Sequence, residues 1–266
     1  MSELSYVPAS VPDDCVLKIS PSSFATFIER PWHWYRTQIQ KKDQFEYNTS
    51  SVIGTIVHYC AEKVAKDEEV NEDAIEEYIT SLDENDNYNR EEVRNAWYLM
   101  AATLINSYVI KEKETYLQIE EQVCSPISKG FYVAGTLDVL QGTKEDCMIT
   151  DYKTYNSKIK PKSISSGYRY QLLTYAAALI SQGYNVTRIR NVYINRNIDG
   201  GISEKTGKPL KSYPPEVTVH TETVVQEDID YINSMLELCK DSVLATEQHP
   251  ELAHVIWHDP RILTGE

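Results

Sequence analysis

The chain has only five cysteines in 266 residues, Cys15, Cys60, Cys124, Cys147 and Cys239, and none stands in a Cys-x-x-Cys pair. An odd, scattered set argues against a disulfide framework, a zinc site and an iron–sulfur cluster; isolated reduced thiols are expected. Long apolar runs are also missing. No stretch approaches the ~18 apolar residues that a membrane span needs. The opening residues, MSELSYVPASVPDD, carry neither the basic segment nor the apolar core of a secretion signal. A cytoplasmic protein with no membrane contact is expected. Basic residues are outnumbered, 26 Lys and Arg against 40 Asp and Glu, for a net charge of -14. Over the whole chain this disfavours a nucleic-acid partner, because phosphate binding draws on Lys and Arg. No glycine-rich phosphate loop, internal repeat, low-complexity tract or linker interrupts the sequence.

What charge there is lies segregated. Between Asp67 and Glu92 stand 12 acidic residues against Arg90 alone, whereas Lys153 to Lys211 holds 11 basic residues against Asp199 and Glu204. The acidic run reads as a solvated face, and the basic run offers a positive surface that the net charge would deny.

Periodicity sorts the chain into helices, then strands. Ser20-Pro21-Ser22-Ser23-Phe24 has the serine cap and early proline of a helix start, with Phe24, Phe27 and Ile28 as its apolar stripe and Pro31 as its predicted end. The rings of Trp32, His33, Trp34 and Tyr35 have two readings, stacking on bases or packing into the core, and packing is the commoner. Further helices are expected from about Gly54 to Lys66 and from about Asn89 to Glu114, with a short exposed acidic helix between them. Strands follow at Leu117 to Val123, Phe131 to Leu140 and Cys147 to Lys153, the last two joined by a loop from Gln141 to Asp146. A helix from about Ile164 to Gln182 ends at Gly183. A strand from Arg188 to Asn195, a loop from Asn197 to Lys211, a strand from Glu216 to Val225 and a helix from about Glu227 to Glu247 complete the chain. The order predicts an α/β (α+β) fold in one domain, a small mixed sheet flanked by helices. Residues 20–115 form its mainly helical part, 116–198 its core, and 199–266 a terminal loop, strand and helix.

The stretch ITDYKTYNSK, residues 149 to 158, puts Asp151 and Lys153 on one face of a strand, because successive side chains alternate. If this strand pairs antiparallel with the one before it, Asp138 comes near Asp151. Two carboxylates supply the oxygen ligands that Mg²⁺ takes while keeping much of its water. A lysine beside such a metal orients an attacking water and stabilises charge developing on a phosphate oxygen. His58 and Glu62 share one face of their helix, and Gln171 and Tyr175 share one face of theirs. Together these residues outline a phosphodiester-hydrolysing site. Lys158, Lys160, Lys162, Arg169, Arg188, Arg190 and Arg196, in the basic run, are the candidate contacts to substrate phosphate.

The segments GTIVHYCAE, GTLDVL, ITDYKT and YQLLTY, in this order and at these separations, resemble the motifs of the RecB-type branch of the PD-(D/E)XK nuclease superfamily. That branch also includes phage recombination exonucleases and the nucleases of CRISPR adaptation. SPSSFATFIERPWHWY resembles its N-terminal Ser-x-Ser to Cys-Pro segment, and the likeness covers roughly residues 20 to 195. The resemblance implies a restriction-endonuclease-like core and a Mg²⁺- or Mn²⁺-dependent deoxyribonuclease, an exonuclease by expectation, that leaves a 5′-phosphate. It implies His58, Asp138 and Asp151 as metal ligands, Lys153 as the catalytic lysine, and Gln171 and Tyr175 as the motif supporting lysine and substrate. A glutamate on the preceding strand is common in such proteins, and either Glu120 or Glu121 fits that place. Where cluster-bearing members have the cysteine of Cys-Pro, this chain has Arg30-Pro31, so no iron–sulfur cluster is expected. Any helicase, or a single-strand annealing protein acting in recombination, would be a separate chain. The competing reading is a nuclease-fold protein that binds DNA or a partner without cutting.

Overall fold

Serine and asparagine side chains open the longer helices of the first half of the chain. Ser20 accepts from the Ser23 N–H at the start of α1 (Pro21–Glu29), as its spacing predicts. α1 ends at Glu29, close to Pro31 as expected, and Pro31 itself opens a new turn, α2 (Pro31–Trp34), continued by a π turn over Tyr35–Ile39. Proline fits the first helical position because its missing N–H would be unbonded there anyway. Asn48 and Ser51 cap each other's backbone N–H at the head of α3 (Thr49–Ala65), so this helix starts earlier than Gly54. Asn71 caps α4 (Glu72–Ser81), the expected acidic helix, and Asn89 caps α5 (Arg90–Leu104). The expected single helix to Glu114 carries a π turn at Ile105–Val109, runs on as α6 (Ile110–Glu112), and tightens to a 3₁₀ turn. The computed structural model describes residues 4, 8–43, 46–83, 85–196, 201–202, 205–209 and 211–260. Residues 197–200, 203–204 and 210 of the expected basic loop, and the end of the chain from 261, lie outside them.

The sheet is mixed and six-stranded. A short strand that the sequence reading did not anticipate, β1 (Leu17–Ile19), lies parallel to β3 (Phe131–Thr143). β2 (Tyr116–Ser128) pairs antiparallel along the other edge of β3 and runs past its expected end at Val123. β4 (Asp146–Tyr155) returns antiparallel to β3 through a turn at Lys144 and Glu145, tighter than the expected loop, with Gly142 at a φ of 95°. The crossover helix α7 (Ser166–Ser181) leads to β5 (Val186–Asn195), parallel to β4, and β6 (Val217–Thr223) closes the sheet antiparallel to β5. α8 (Gln226–Gln248) buries Ile229, Ile232, Leu236, Cys239 and Val243, the expected stripe.

Two apolar layers sandwich the sheet. Alternation along β4 divides it: Cys147 and Ile149 face α1, α7 and α8, whereas Tyr152 faces α3 and α5. The aromatic run after Pro31 belongs to the first layer. Trp34 and Tyr35 are buried against Trp257, with ring centroids 5.5 Å and 5.0 Å away, so packing rather than base stacking is what these two rings do. No helix among the described residues is long and apolar enough to cross a membrane.

Candidate active site at the parting of two strands

One edge of β3 changes partner along its length. It pairs with β1 at residues 131–133 and with β4 at residues 139–143, and the last pair toward the middle is Val139 with Thr150. Beyond that pair the strands part, and Asp138 and Asp151 stand at the mouth of the gap. The backbone groups released there find other partners. The Tyr152 N–H donates to Asp138 Oδ2 at 2.7 Å, and the Tyr175 hydroxyl donates to the Thr136 carbonyl at 2.6 Å.

Three side chains converge on this gap. His58, on α3, brings Nδ1 to 3.3 Å from Asp138 Oδ2, its ring edge-on to Tyr152. Glu120, on β2, is level with Asp138, because its neighbours pair as Ile119 with Val139 and Glu121 with Leu137. Glu120 also adopts a φ of 51°, a conformation that L-residues rarely take and that costs about 1–3 kcal/mol where the surrounding structure enforces it. His58, Glu120 and Asp138 each offer one ligand atom, all lying within 4.8 Å of one another.

Their protonation shows what the trio needs. Burial, and then the charge of Asp138, push the Glu120 carboxyl up to about 8. For His58 burial works downward, but the Asp138 charge and hydrogen bond overcome it and lift the imidazole to about 9. Burial works upward on Asp138, yet His58, Lys153 and the Tyr152 N–H hold it below the usual carboxylate range. The group therefore retains protons at neutral pH that a divalent cation would replace. Two carboxylates and an imidazole are a donor set that such an ion accepts. The residues present fit a metal.

Beside the trio, Asp151 is bonded on every side. Lys153 Nζ lies 2.8 Å from both of its oxygens, Gln171 Nε2 donates at 3.2 Å and Asn191 Nδ2 at 2.8 Å. Burial pushes Asp151 up to about 6 against the pull of Lys153, with the Asp138 charge adding to it. Burial opposes the charge on Lys153, but Asp151 and Asp138 hold its pKa above the ordinary value, so it is an ammonium at neutral pH. Its Nζ also sits 4.9 Å from the centre of the Tyr168 ring.

Among the described residues His58, Glu120 and Asp138 form the group whose ligand atoms could together hold a cation; two of the three expected ligands, His58 and Asp138, are in it, and the third, Asp151, lies beside it bonded to Lys153. Glu121 is exposed and pairs across to Leu137. Glu62 is taken up by Lys66 at 2.7 Å. Gln171 reaches the partner of the lysine rather than the lysine itself, and the buried Tyr175 braces β3. Gly135 is required beside that tyrosine, since a Cβ there would lie 2.6 Å from its hydroxyl.

Five of the seven candidate phosphate contacts are already paired with acids. Arg169 bridges Glu222 and Asp228, Arg188 pairs with Asp146, Arg190 lies near Glu112, the nearly buried Arg196 holds Glu92, and Lys160 holds Glu216. A guanidinium compensated inside the fold presents little net charge to a phosphate, so Arg169, Arg190 and Arg196 act as ties between elements. Lys158 and Lys162 remain exposed. Sequence reasoning missed Asn191, whose side chain is shielded from solvent, and Tyr168. Their signal was the alternation of β5 and the spacing of α7, one turn before Gln171, once the register of the sheet is known.

The sequence pattern of the PD-(D/E)XK nuclease superfamily matches residues 18–251. No curated protein sequence matches the chain. Among solved structures, SSO0001 aligns at 11% identity and a TM-score of 0.37, over 89% of this chain and 78% of its own. The alkaline exonuclease LHK-Exo from Laribacter hongkongensis aligns at 13% identity and a TM-score of 0.36, over 76% of this chain and 95% of its own. The same exonuclease in complex with dAMP aligns at 14% identity and a TM-score of 0.36, over 76% of this chain and 99% of its own.

Proposed function

Because this chain belongs to the PD-(D/E)XK nuclease superfamily, we propose that it is a divalent-metal-dependent deoxyribonuclease of the RecB-type branch that degrades DNA from its ends. The observation that carries the reading is the adjacency of the His58, Glu120 and Asp138 group to an ammonium held by both oxygens of Asp151. A bound Mg²⁺ or Mn²⁺ would supply Lewis-acid stabilisation of charge on the phosphate.

The remaining work falls to the chain itself. Lys153 is held protonated, so it serves as a donor rather than a base: it binds a phosphate oxygen and stabilises the charge that grows there during in-line attack. Asp151, whose two oxygens are taken up by Lys153, Gln171 and Asn191, holds that ammonium in position. Gln171 and Asn191 fix its orientation, and through it the position of the ammonium. The substrate is DNA undergoing recombination, repair or phage processing, with a helicase or annealing protein supplied as a separate chain.

End-labelled linear double-stranded DNA, linear single-stranded DNA and a closed circle, each incubated with Mg²⁺, Mn²⁺ or EDTA, test this. Metal-dependent loss of linear DNA that spares the circle, abolished by Asp138→Asn and by Lys153→Met, is expected. Absence of cleavage under every condition would replace the enzyme by a binding protein.

A further inference from the structure

Beyond the reacting groups, the face of β4 that carries Asp151 and Lys153 continues to Tyr155. Tyr168, on the first turn of α7, lies across the Lys153 ammonium and leaves 36% of its surface open. Buried Tyr193 sits between these rings, with centroids 6.3 Å from each, and holds them in place. Past the end of β4, the ammoniums of Lys158 and Lys211 both lie over the ring of Tyr213, at 5.7 Å and 4.9 Å. That ring is tethered to the sheet, because Asn195 on β5 donates to the Pro214 carbonyl at 3.3 Å. Among the described residues, neither Lys158 nor Lys211 has a carboxylate partner, in contrast to the arginines of the same run. The strip thus sets partly exposed tyrosines beside lysines that have no acidic partner among the described residues, and begins at Lys153.

We propose that Tyr168, Tyr155, Lys158, Tyr213 and Lys211 form a track for single-stranded DNA leading to the reacting phosphate. The inference rests on the nuclease reading above and adds the strand state of the substrate. Aromatic faces engage only bases that are unpaired and unstacked, since a duplex hides those faces and shows a protein mainly its phosphates. Lysines alone would fit either form of DNA; lysines interleaved with tyrosines select the single strand.

The test uses the full chain carrying Asp138→Asn, chosen to stop cleavage, and a fluorescein-labelled oligothymidylate titrated by anisotropy at several salt concentrations. Each phosphate contact adds about 0.7 to the logarithmic salt slope for a single strand, so Lys158→Ala with Lys211→Ala should lower the slope by about 1.4. Tyr168→Leu should weaken single-strand binding about fivefold or more at unchanged slope, leave blunt duplex binding within about twofold, and be rescued by Tyr168→Trp. An unchanged slope in the double lysine variant, or equal losses for duplex and single strand in Tyr168→Leu, would overturn the track. Because Lys153 itself meets phosphate, a salt slope that falls in Tyr168→Leu would trace the loss to the cation–π contact with Lys153 rather than to stacking, and would also overturn the track. If the unsubstituted chain cleaves no DNA, the nuclease reading fails while the binding result stands by itself.

Discussion

Raising the pH of the metal-free protein should destabilise it, and His58 is the reason. Its pKa stands at about 9 in the fold against 6.5 unfolded. A group whose folded pKa is the higher holds its proton more tightly when folded, so the stabilisation is fully present below the unfolded value and is lost as pH rises through the folded one. The window therefore runs from about 6.5 to 9. The difference corresponds to about 3 kcal/mol at 1.36 kcal/mol per unit. With 27% of the side-chain surface open, solvent screening brings this to about 2 kcal/mol. Glu120, lifted to about 8, acts with the same sign over the lower part of the window. For a chain of this size, about 2 kcal/mol is a fall of roughly 4–8 °C in Tm. The assay is calorimetric unfolding in EDTA at intervals between the two pH limits, repeated with His58→Gln, which has no proton to lose there. The same series with saturating Mn²⁺ should flatten, because the cation replaces the protons the site otherwise holds. A Tm of the metal-free protein that is flat across the window, or that falls equally in His58→Gln, would refute the protonated His58 and Asp138 pair on which the metal-site reading leans.

Two substitutions probe the supports of the site. Asn191→Leu removes the 2.8 Å bond to Asp151. A hydrogen bond to a charged group is worth about 1.5–3 kcal/mol, so kcat should fall roughly 10- to 150-fold with KM little changed; a loss confined to KM would show that Asn191 does not orient Asp151. Gly135→Ala forces a Cβ to 2.6 Å from the Tyr175 hydroxyl and 2.9 Å from Pro21 Cδ. Overpacking of this kind costs about 1–3 kcal/mol, read as a fall in Tm that adding Tyr175→Phe should partly restore; an unchanged Tm would refute the close approach of Tyr175 and Pro21 to Gly135.

Which parts of this molecule could be read from its sequence follows from the range of the forces involved. Asp138, Asp151, Lys153 and Gln171 were legible because strand alternation and helical spacing are local, and a hairpin brings its own two strands together. Asn191 was not, since its approach to Asp151 depends on the parallel register that α7 sets between β4 and β5. The choice between Glu120 and Glu121 was also closed to pattern reasoning: the two are adjacent on one strand, and only the register of β2 on β3 sets Glu120 level with Asp138 and Glu121 against Leu137. Charge misled most. The basic run from Lys153 to Lys211 looked like a phosphate surface, and the acidic run from Asp67 to Glu92 like its opposite face. Yet Arg196 and Glu92, 104 positions apart, bind one another at the head of α3 and α5, so part of each run neutralises the other. An overall charge of -14 does not forbid phosphate binding, and a stretch of bases does not provide it. What counts is which cations the fold leaves uncompensated and where they stand, and along the face that begins at Lys153 those are Lys158 and Lys211.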